Sequence, residues 1–287
     1  MQETQDIIAR LNRSGRKLSK SHRRIAEYIA EHYDKAVAMT ASRLGETTGV
    51  SESTVVRFAV AMGYDGYPEL QESLQELVRH RLTATQRFEM TSDIDEKNVL
   101  STVLKADMQN IRSTIEDIDV DAFLEAARAI SGSRRVYILG LRSAAPLAEF
   151  AGYYLHYILD DVRVVAAGST DVFEAISRVQ AGDVLLAISF PRYSSRTIEA
   201  MHFARTRQAQ VIGVTDGPMS PLHEAADICL SVRTDMASFV DSMAAPMSVI
   251  NALIVALAMM NRDVLAERFQ QLEEVWDAYS VYMNESK

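Results

Sequence analysis

The chain has 287 residues, of which 48% are hydrophobic and 24% charged, which is typical of globular proteins, and its length suits two domains better than one. No run approaches 18 uncharged apolar residues, and the first 17 residues contain no apolar centre like that of a signal peptide. We therefore expect a cytoplasmic protein without a membrane partner. The formal charge of −9 at first sight argues against a nucleic acid as partner.

The charge is unevenly distributed along the chain. Residues 1–90 contain 13 Lys and Arg against 12 Asp and Glu, a net charge of +1, whereas residues 91–287 contain 17 against 27, a net charge of −10. No acidic residue lies between Asp6 and Glu27, and such a basic run can neutralise phosphates. A solvated helix start or a disordered arm would explain the run equally well. Its members are Arg10, Arg13, Arg16, Lys17, Lys20, Arg23 and Arg24.

Residues 21–80 have the pattern of helices separated by short turns. Ile25, Ala26, Ile29 and Tyr33 share one face at helical spacing, and Ser21 is placed to cap the start of this helix. Residues 81–98 are polar and without periodicity, so we predict a linker there. A further helix is predicted over 99–117, with a buried stripe made of Val99, Val103, Ala106, Ile111 and Ile115.

The segment 41–64 has the pattern of a helix-turn-helix, in which two short helices pack at a steep angle through a tight turn. Gly45 is small where the helices approach, and Gly49 falls where the turn needs a positive φ. Ser51 is placed to cap the second helix by accepting from the N–H of Ser53 or Thr54. Four apolar residues are spaced to fill the wedge between the helices: Leu44, Val50, Val55 and Phe58.

The second helix, predicted over 52–62, would lie in the major groove of DNA. Arg57, one turn into it, is the best candidate for a guanine or phosphate contact. The alternative is an ordinary helical hairpin whose polar face is merely solvated. The predicted DNA-binding residues are Ser51, Glu52, Ser53, Thr54, Arg57, Lys20, Arg23 and Arg24.

After residue 130, short β-rich apolar runs alternate with helical segments. Apolar strands followed by crossover helices are typical of a parallel sheet covered on both faces. We therefore predict an α/β three-layer sandwich with a five-stranded parallel sheet behind an all-α helix-turn-helix head. In such sheets ligands bind at the carboxyl ends of the strands. The five runs are VYILGL (136–141), VRVVAAG (162–168), VLLAISF (184–190), QVIGVTD (210–216) and ICLSV (228–232).

The stretch VSESTVVRFAVAMGYDGYPELQESL resembles the N-terminal domain of the RpiR/MurR family of bacterial regulators, in which a helix-turn-helix domain precedes a SIS (sugar isomerase) domain. The similarity covers roughly residues 5–80, and the second domain fits in position and strand count. The resemblance implies a transcription regulator, more often a repressor, that binds double-stranded DNA as a homodimer or homotetramer. We divide the chain into a DNA-binding domain (1–80), a linker (81–98) and a SIS-like effector-binding and dimerisation domain (99–287).

SIS domains bind phosphorylated sugars through a Ser/Thr-rich loop after one strand and a glycine-rich turn after another. The family's S-x-S-G-x-T loop corresponds to residues 189–194, which keep the first and last hydroxyls as Ser189 and Ser194. Arg192 replaces the glycine of this loop, and Thr197 follows in the helix start. Hydroxyls and free N–H groups at a helix N-terminus can hold phosphate oxygens.

The first turn departs from the family's G-x-G-x-S pattern, since it is Gly140-Leu141-Arg142-Ser143 with Ala144 at the nominal serine position. Either Ser143 takes that role after a shift of one residue, or the hydroxyl is lost. Arg142 and Arg192 would both face the ligand, and guanidinium groups pair with carboxylate or phosphate. We expect a small anionic effector, a sugar phosphate or sugar acid, although each arginine could instead pair with a nearby acid.

The remaining polar candidates are weaker. Ser169 and Thr170 follow the second strand, where helix capping alone would explain them, and Thr215 and Asp216 are more typical of a turn than of a site. His156 and His223 could touch a ligand, but the six histidines lack zinc-ligand spacing. No metal or cofactor is expected. Cys229 is interpreted as an inert core thiol, with a sensor or nucleophile as the alternative.

Two other functions compete with a regulator. A sugar-phosphate aldose–ketose isomerase needs a general base, for which Glu149, Glu174, His202 and His223 can be nominated, but no spacing selects one. Alternatively the helical head is a protein-interaction module. The apolar helix that follows Asp241 and Ser242 is predicted to pack in the core or in a dimer interface.

Overall fold

A computed structural model describes residues 18–37, 39–71, 73–74, 83–89, 95–166 and 171–282. The chain forms two compact units, Met1–Asp93 and Ile94–Lys287. The boundary falls inside the stretch predicted as a linker, while the exact limits of the predicted domains stay a prediction. Six residues singled out above lie outside the described residues: Arg10, Arg13, Arg16, Lys17, Ser169 and Thr170.

The first unit is helical in all its described elements. They are α1 (Lys20–Glu31), α2 (Tyr33–Ala36), α3 (Ala41–Thr48), α4 (Glu52–Ala61) and α5 (Ala84–Glu89), and residues 67–71 and 73–74 are helical too. The short helix α5 falls within the predicted linker. The cap predicted for α1 was wrong: Ser19 is the N-cap, and its Oγ accepts from the N–H of His22 at 3.2 Å. Ser21 lies one residue inside the helix, too late to cap it.

The core of this unit is built from one face of each helix. Ile25, Ile29, Leu44 and Phe58 are completely buried there. Tyr33 is only half-buried, because α1 ends before it and the predicted continuous face is broken at His32.

Two side chains anchor the loop between α2 and α3. The hydroxyl of Tyr67 donates to the Met39 carbonyl at 2.6 Å, and the amide of Gln71 donates to the carbonyls of Val37 and Met39 at 3.0 and 3.1 Å. Since α3 begins immediately after this loop, the same bonds fix where α3 starts.

The second unit alternates strands with helices. Its sheet is wholly parallel in the order β2-β1-β3-β4-β5, which confirms the predicted five-stranded parallel sheet. The elements are α6 (Val99–Asp117), α7 (Val120–Ser131), β1 (Arg135–Gly140), α8 (Ala145–Ile158), β2 (Val162–Val165), α9 (Val172–Ala175), β3 (Asp183–Ile188), α10 (Ser195–Thr206), β4 (Gln210–Thr215), α11 (Pro221–Ala225), β5 (Ile228–Ser231), α12 (Ala244–Met260) and α13 (Arg262–Ala278).

Alternate residues of the strands pack against helices on opposite faces of the sheet. Ile138 and Leu186 lie in a cluster with α7, α8 and α12, whereas Tyr137 and Leu185 lie in a cluster with α10 and α11. Both faces are therefore covered, and the three-layer sandwich is confirmed. Strands β1, β3 and β4 are buried almost throughout. This agrees with their apolar sequences, which predicted strands that are covered on both faces.

Helix α6 has the predicted bounds but not the predicted buried stripe. Val99 and Ile115 are exposed, while Val103, Ala106 and Ile111 are half-buried. The fully buried positions are polar ones. The amide of Asn110 exchanges two hydrogen bonds with the backbone of Asp235, at 2.8 and 2.9 Å, and Thr114 Oγ1 accepts from the N–H of Arg233 at 3.0 Å.

Hydrophobic periodicity did not predict the buried face of α6, because that face packs against a loop, residues 233–235. The unpaired backbone groups of that loop need polar partners, which Asn110 and Thr114 supply.

The two C-terminal helices differ in burial. The long apolar helix α12 packs in the core through Val249, Ile250, Leu253 and Leu257, whereas α13 buries no residue in this chain. No single helix among the described residues is long and apolar enough to span a membrane, and α12 with α13 meet the length and composition only as a pair bent by 99°.

Candidate functional site

The turn between α3 and α4 has the close packing that the sequence predicts. A Cβ on Gly45 would lie 2.9 Å from the Val50 carbonyl oxygen, so only glycine lets α3 approach the turn this closely. Gly49 has φ 66° and ψ 42°, the left-handed conformation expected there. Of the four predicted wedge residues, Leu44, Val55 and Phe58 are completely buried and Val50 is half-buried.

Arg24 of α1 packs over this turn. Its Nη1 donates to the Gly49 carbonyl at 3.4 Å, and its Nη2 is 2.6 Å from where a Cβ of residue 49 would lie. The side chain thus helps to hold the turn, a role that the sequence pattern did not reveal. Lys20 and Arg23 are exposed at the start of α1. Phosphate contacts by these three residues stay a prediction.

Ser51 occupies the N-cap position of α4 as predicted, but its hydroxyl does not accept from a backbone N–H. Its Oγ lies 3.0 Å from Ser53 Oγ and 2.8 Å from Thr54 Oγ1. Two hydroxyls so close to Ser51 offer it an alternative to the backbone, and the predicted cap bond was wrong. The result is a cluster of three hydroxyls at the first turn of α4.

The outer face of α4 presents Glu52, Ser53 and Arg57 to solvent, with Thr54 half-buried. Arg57 Nε donates to the Ser53 carbonyl at 3.2 Å, which lays the guanidinium back along the helix. Two apolar residues that the sequence analysis missed share this face: Val56 and Val60 are 38% and 55% exposed. Apolar side chains among polar ones suit the thymine methyl groups of the major groove. In the sequence, the sign of this was the presence of two β-branched residues on the helix face that carries Arg57.

In the second unit, the strand order creates a crevice at one edge of the sheet. β1 and β3 are neighbours in the sheet, but the chain continues from β1 to β2 on one side of this pair and from β3 to β4 on the other. Gly140 pairs with Ile188 where β1 and β3 end. Ligands of open parallel sheets bind at such a switch point. The loops after these strands carry all the predicted effector-binding residues except Gly140, which ends β1, and Thr197, which lies in the first turn of α10.

Both loops contain an exposed arginine with a left-handed backbone. Arg142 has φ 58° and Arg192 has φ 68°. A left-handed conformation costs a residue with a side chain about 1–2 kcal/mol, and such strain is often retained at ligand sites. Gln208 and Ser280 are also left-handed, so the conformation alone does not define the site. The left-handed backbone occurs at an arginine in both crevice loops, which favours Arg142 and Arg192 as the predicted pair of ligand-binding residues.

Three predicted hydroxyls surround the second of these loops. Ser189 is buried, at 7% exposure, and Ser194 is the N-cap of α10 but makes no capping bond with its side chain. Thr197, in the first turn of α10, is completely buried, and its Oγ1 has no hydrogen-bond partner. An unpaired buried hydroxyl is costly, but Thr197 is closed to solvent in this structure, so its contact with an effector stays a prediction.

The first loop is constrained by glycine. A Cβ on Gly140 would lie 2.5 Å from the Ala144 carbonyl oxygen and 2.8 Å from Ala148 Cβ, so this glycine allows α8 to pack against β1. Ser143 is exposed and Ala144 buried in a single 3₁₀ turn. The exposed hydroxyl is the one that a ligand can reach.

A buried hydrogen-bond network beside the crevice was not predicted. The hydroxyl of Tyr193 donates to Asp216 Oδ1 at 2.6 Å, and Thr215 Oγ1 lies 3.1 Å from the same oxygen and 2.7 Å from Ser220 Oγ. Burial and the neighbouring Asp216 carboxylate raise the pKa of Tyr193 well above its ordinary range. The tyrosine therefore remains a donor and ties the loop after β3 to the loop after β4. Thr215 and Asp216 are thus members of a hydrogen-bond network and do not merely form a turn.

The other weak candidates lie apart from this network. His156 Nδ1 lies 2.6 Å from the Gly152 carbonyl oxygen within its own helix. Ser242 Oγ donates to Asp107 Oδ1 at 2.6 Å, which joins the loop after β5 to α6. All four nominated acid–base groups are exposed on helices: Glu149, Glu174, His202 and His223.

Cys229 is predicted to react slowly. Burial, assisted by Asp216, raises the pKa of its thiol to about 11, about two units above the ordinary value, so the thiolate fraction at neutral pH falls about 100-fold. Alkylation by iodoacetamide at pH 7.5 should accelerate by about that factor when urea unfolds the chain. Equal rates for native and unfolded protein would show that the thiol is accessible and reactive, as a sensor requires.

An all-helical head with an exposed helix-turn-helix, followed by a parallel α/β unit with a polar crevice, defines a class of DNA-binding regulator with a ligand-sensing domain. Residues 5–80 match the helix-turn-helix domain of the rpiR family, and residues 129–256 match the SIS domain. The chain belongs to the RpiR family of HTH-type transcriptional regulators, which confirms the predicted family and class of function.

Similar proteins cover nearly the whole chain. An uncharacterised HTH-type transcriptional regulator of Caldanaerobacter subterraneus is 24% identical over 277 residues, 94% of this chain and 96% of the relative. HTH-type transcriptional regulator HexR of Pseudomonas aeruginosa is 27% identical over 217 residues, 75% of this chain and 74% of HexR. The structure of Vibrio vulnificus NanR complexed with ManNAc-6P shares the fold, with a TM-score of 0.59 at 20% identity, over 97% of this chain and 100% of NanR.

Proposed function

We propose that this regulator is a cytoplasmic homodimer, or a tetramer built from such dimers, whose heads bind operator DNA and whose SIS domain binds a sugar phosphate or a related sugar acid. The effector changes operator affinity through the relative placement of the heads, a coupling of typically about 1–3 kcal/mol. The observation that carries this proposal is the pair of crevice loops, which combine exposed guanidiniums with hydroxyls at the start of α10.

DNA binding by the head is supported by the exposed face of α4. Paired heads must match the half-site spacing of a roughly palindromic operator, so a small rotation between them changes affinity. We propose repression as the sign of control. A protein-interaction role for the head would be favoured instead if the purified chain left no footprint on promoter DNA.

A sugar phosphate as effector is supported by the hydroxyls of the crevice and by the similar fold of NanR, whose structure is complexed with ManNAc-6P. Arg142 and Arg192 depart from the family pattern and add two guanidiniums, which suit a phosphate or a carboxylate. An isomerase is less well supported, because the loops 141–144 and 189–194 contain no carboxylate or imidazole to act as base.

The proposal is tested by the double variant Ser189→Ala with Ser194→Ala. We expect it to retain operator binding and to lose the response to the sugar phosphate that stabilises the unmodified protein in a thermal-shift panel. The natural control is Ser101→Ala, since Ser101 is exposed at the start of α6 and its described hydrogen bond is a donation from Oγ to the neighbouring Asn98 carbonyl. If the double variant responds like the control, the effector binds elsewhere.

A homodimer is supported by an exposed apolar surface formed by α12 and α13. Helix α13 has 17 residues, none of them buried, and Val264, Phe269 and Val275 are 49%, 40% and 49% exposed. Met259 of α12 is 75% exposed. A helix of this kind gains little stability alone, and a second copy related by a two-fold axis is the commonest partner for such a surface.

The dimer surface is tested with Val264→Glu combined with Val275→Glu. Buried carboxylates without partners are costly, so the double variant should elute as a monomer in size-exclusion chromatography with light scattering. Met219→Glu changes an equally exposed apolar residue, at 42%, away from these helices and should leave the oligomer intact. A variant that keeps the mass of the unmodified protein would exclude this surface as the interface.

A further inference from the structure

A second cleft opens at the edge of the sheet opposite the effector crevice. It has a volume of about 790 Å³ and is lined by the residues that precede β1, β3 and β4. Because the strands are parallel, these amino-terminal ends lie away from the loops that follow Gly140 and Ile188. The cleft and the effector crevice are thus separate sites on one domain.

The charges that line this cleft are all positive. Arg134, Arg135, Arg178 and Arg207 contribute guanidiniums, and the lining contains no Asp or Glu. This is unusual for a region of the chain, residues 91–287, whose net charge is −10. A cationic cleft in an acidic domain concentrates anions locally.

Two of the four guanidiniums are neutralised and serve to shape the cleft. Arg134 lies 2.7 Å from a carboxylate oxygen of Asp183, whose side chain is completely buried and also accepts from the N–H of Gln180 at 3.0 Å. Arg135 Nε donates to Asp161 at 2.6 Å. These bonds hold the floor of the cleft in place before any ligand arrives.

The other two guanidiniums have no carboxylate within ion-pair distance among the described residues. Arg178 is exposed on the turn after α9, and Arg207 lies over the Phe203 ring, 5.3 Å from its centre. Stacking on Phe203 restricts Arg207 while leaving its N–H donors open. Both charges are therefore available to an anion, and one of them is already oriented.

We propose that this cleft binds a small metabolite carrying two or more phosphates, at a site distinct from the effector crevice. Guanidinium groups pair with phosphate oxygens through two parallel hydrogen bonds, and the side-chain amides of Gln180 and Gln208 on the rim supply further donors. No aromatic ring lines the cleft, so it offers no surface on which a nucleobase would stack. The proposal is independent of the proposed function, because either site can fail without the other.

The test uses tripolyphosphate as the probe and the full chain in isothermal titration calorimetry. Arg178→Gln with Arg207→Gln should weaken binding roughly 150-fold or more, as the loss of two charge-assisted hydrogen bonds should. Arg112→Gln with Arg128→Gln removes two exposed charges elsewhere and should leave binding unchanged. Arg142→Gly with Arg192→Gly, in the effector crevice, should also retain it. Hydrogen exchange should show protection at residues 177–182 and 206–208 when the probe binds.

Several results would overturn this proposal. They are no binding by the unmodified chain at millimolar probe, an equal affinity for the Arg178 and Arg207 double variant, or loss of binding in the effector-crevice variant. Weakened operator binding by Arg178→Gln with Arg207→Gln would also do so, because it would identify the cleft as a contact for DNA phosphates. Should that double variant fold poorly, Arg178→Gln alone, on an exposed turn, is expected to weaken probe binding measurably.

Discussion

Replacing Arg57 with alanine is expected to weaken operator binding by about 1–3 kcal/mol, or roughly 5- to 150-fold, as the loss of one base or phosphate contact should. Arg57 is exposed at the centre of the outer face of α4, and its only described hydrogen bond is to the Ser53 carbonyl of its own helix. Removing it leaves the core of the head untouched, so folding and oligomerisation should be unchanged. Fluorescence anisotropy with promoter DNA measures the effect.

The matched control for Arg57→Ala is Arg112→Ala. Arg112 is also exposed, at 75% of its side chain, and its described partner is Glu116 one turn further along the same helix, but it lies in the second unit. Its replacement should leave operator affinity as it is. Affinities for different operator sequences distinguish two roles for Arg57. If Arg57 contacts a base, the loss of affinity depends on the operator sequence. If it contacts a phosphate, the loss is the same for every sequence and the salt dependence of binding becomes shallower. Full affinity in Arg57→Ala would remove this residue from the DNA-facing surface.

Replacing both crevice arginines with glycine is expected to abolish the effector response without unfolding the domain. Each charged hydrogen bond to an anion contributes about 1.5–3 kcal/mol, so two lost guanidiniums should weaken effector binding roughly 150-fold or more. Glycine adopts the left-handed conformation of Arg142 and Arg192 without strain. Relief of about 1–2 kcal/mol of strain per site then offsets the greater freedom that glycine gives the unfolded chain. Binding falls while the melting temperature is maintained.

A third left-handed residue provides the control for this experiment. Ser280 has φ 49° and lies beyond α13, away from the crevice loops. Ser280→Gly relieves the same kind of strain and should leave effector binding intact. An effector affinity in Arg142→Gly with Arg192→Gly equal to that of Ser280→Gly would show that neither guanidinium contacts the ligand.

Local sequence patterns predicted the elements of this protein well. Apolar runs located all five strands, and the spacing of Leu44, Gly45, Gly49 and Val55 located the helix-turn-helix, because glycine and buried apolar residues are required there by backbone geometry alone. The same patterns failed where the partner was remote in sequence. Asn110 and Thr114 are buried on α6 because a loop more than a hundred residues away needs polar partners.

The proposed effector site divides in the same way. Ser189, Arg192 and Ser194 were nominated from the resemblance to the family's loop motif, and Ser189, which falls inside the predicted strand, lies just beyond the end of β3 in the structure. The contact between Tyr193 and Asp216 could not be predicted from the sequence, because their 2.6 Å hydrogen bond depends on β3 and β4 being neighbouring strands. The arginine cleft was likewise invisible, since its residues come from the starts of three strands.

The sequence by itself determined the two-domain class and the positions of the five strands and of the helix-turn-helix, and it nominated candidate residues for DNA contact, because these depend on hydrophobic periodicity and on side-chain chemistry within a few residues. Only the tertiary structure decided the strand order, and hence which loops meet at the crevice and which arginines share the opposite cleft. It also decided which charges are already paired, since a guanidinium beside a buried carboxylate and one without a partner look the same in a sequence.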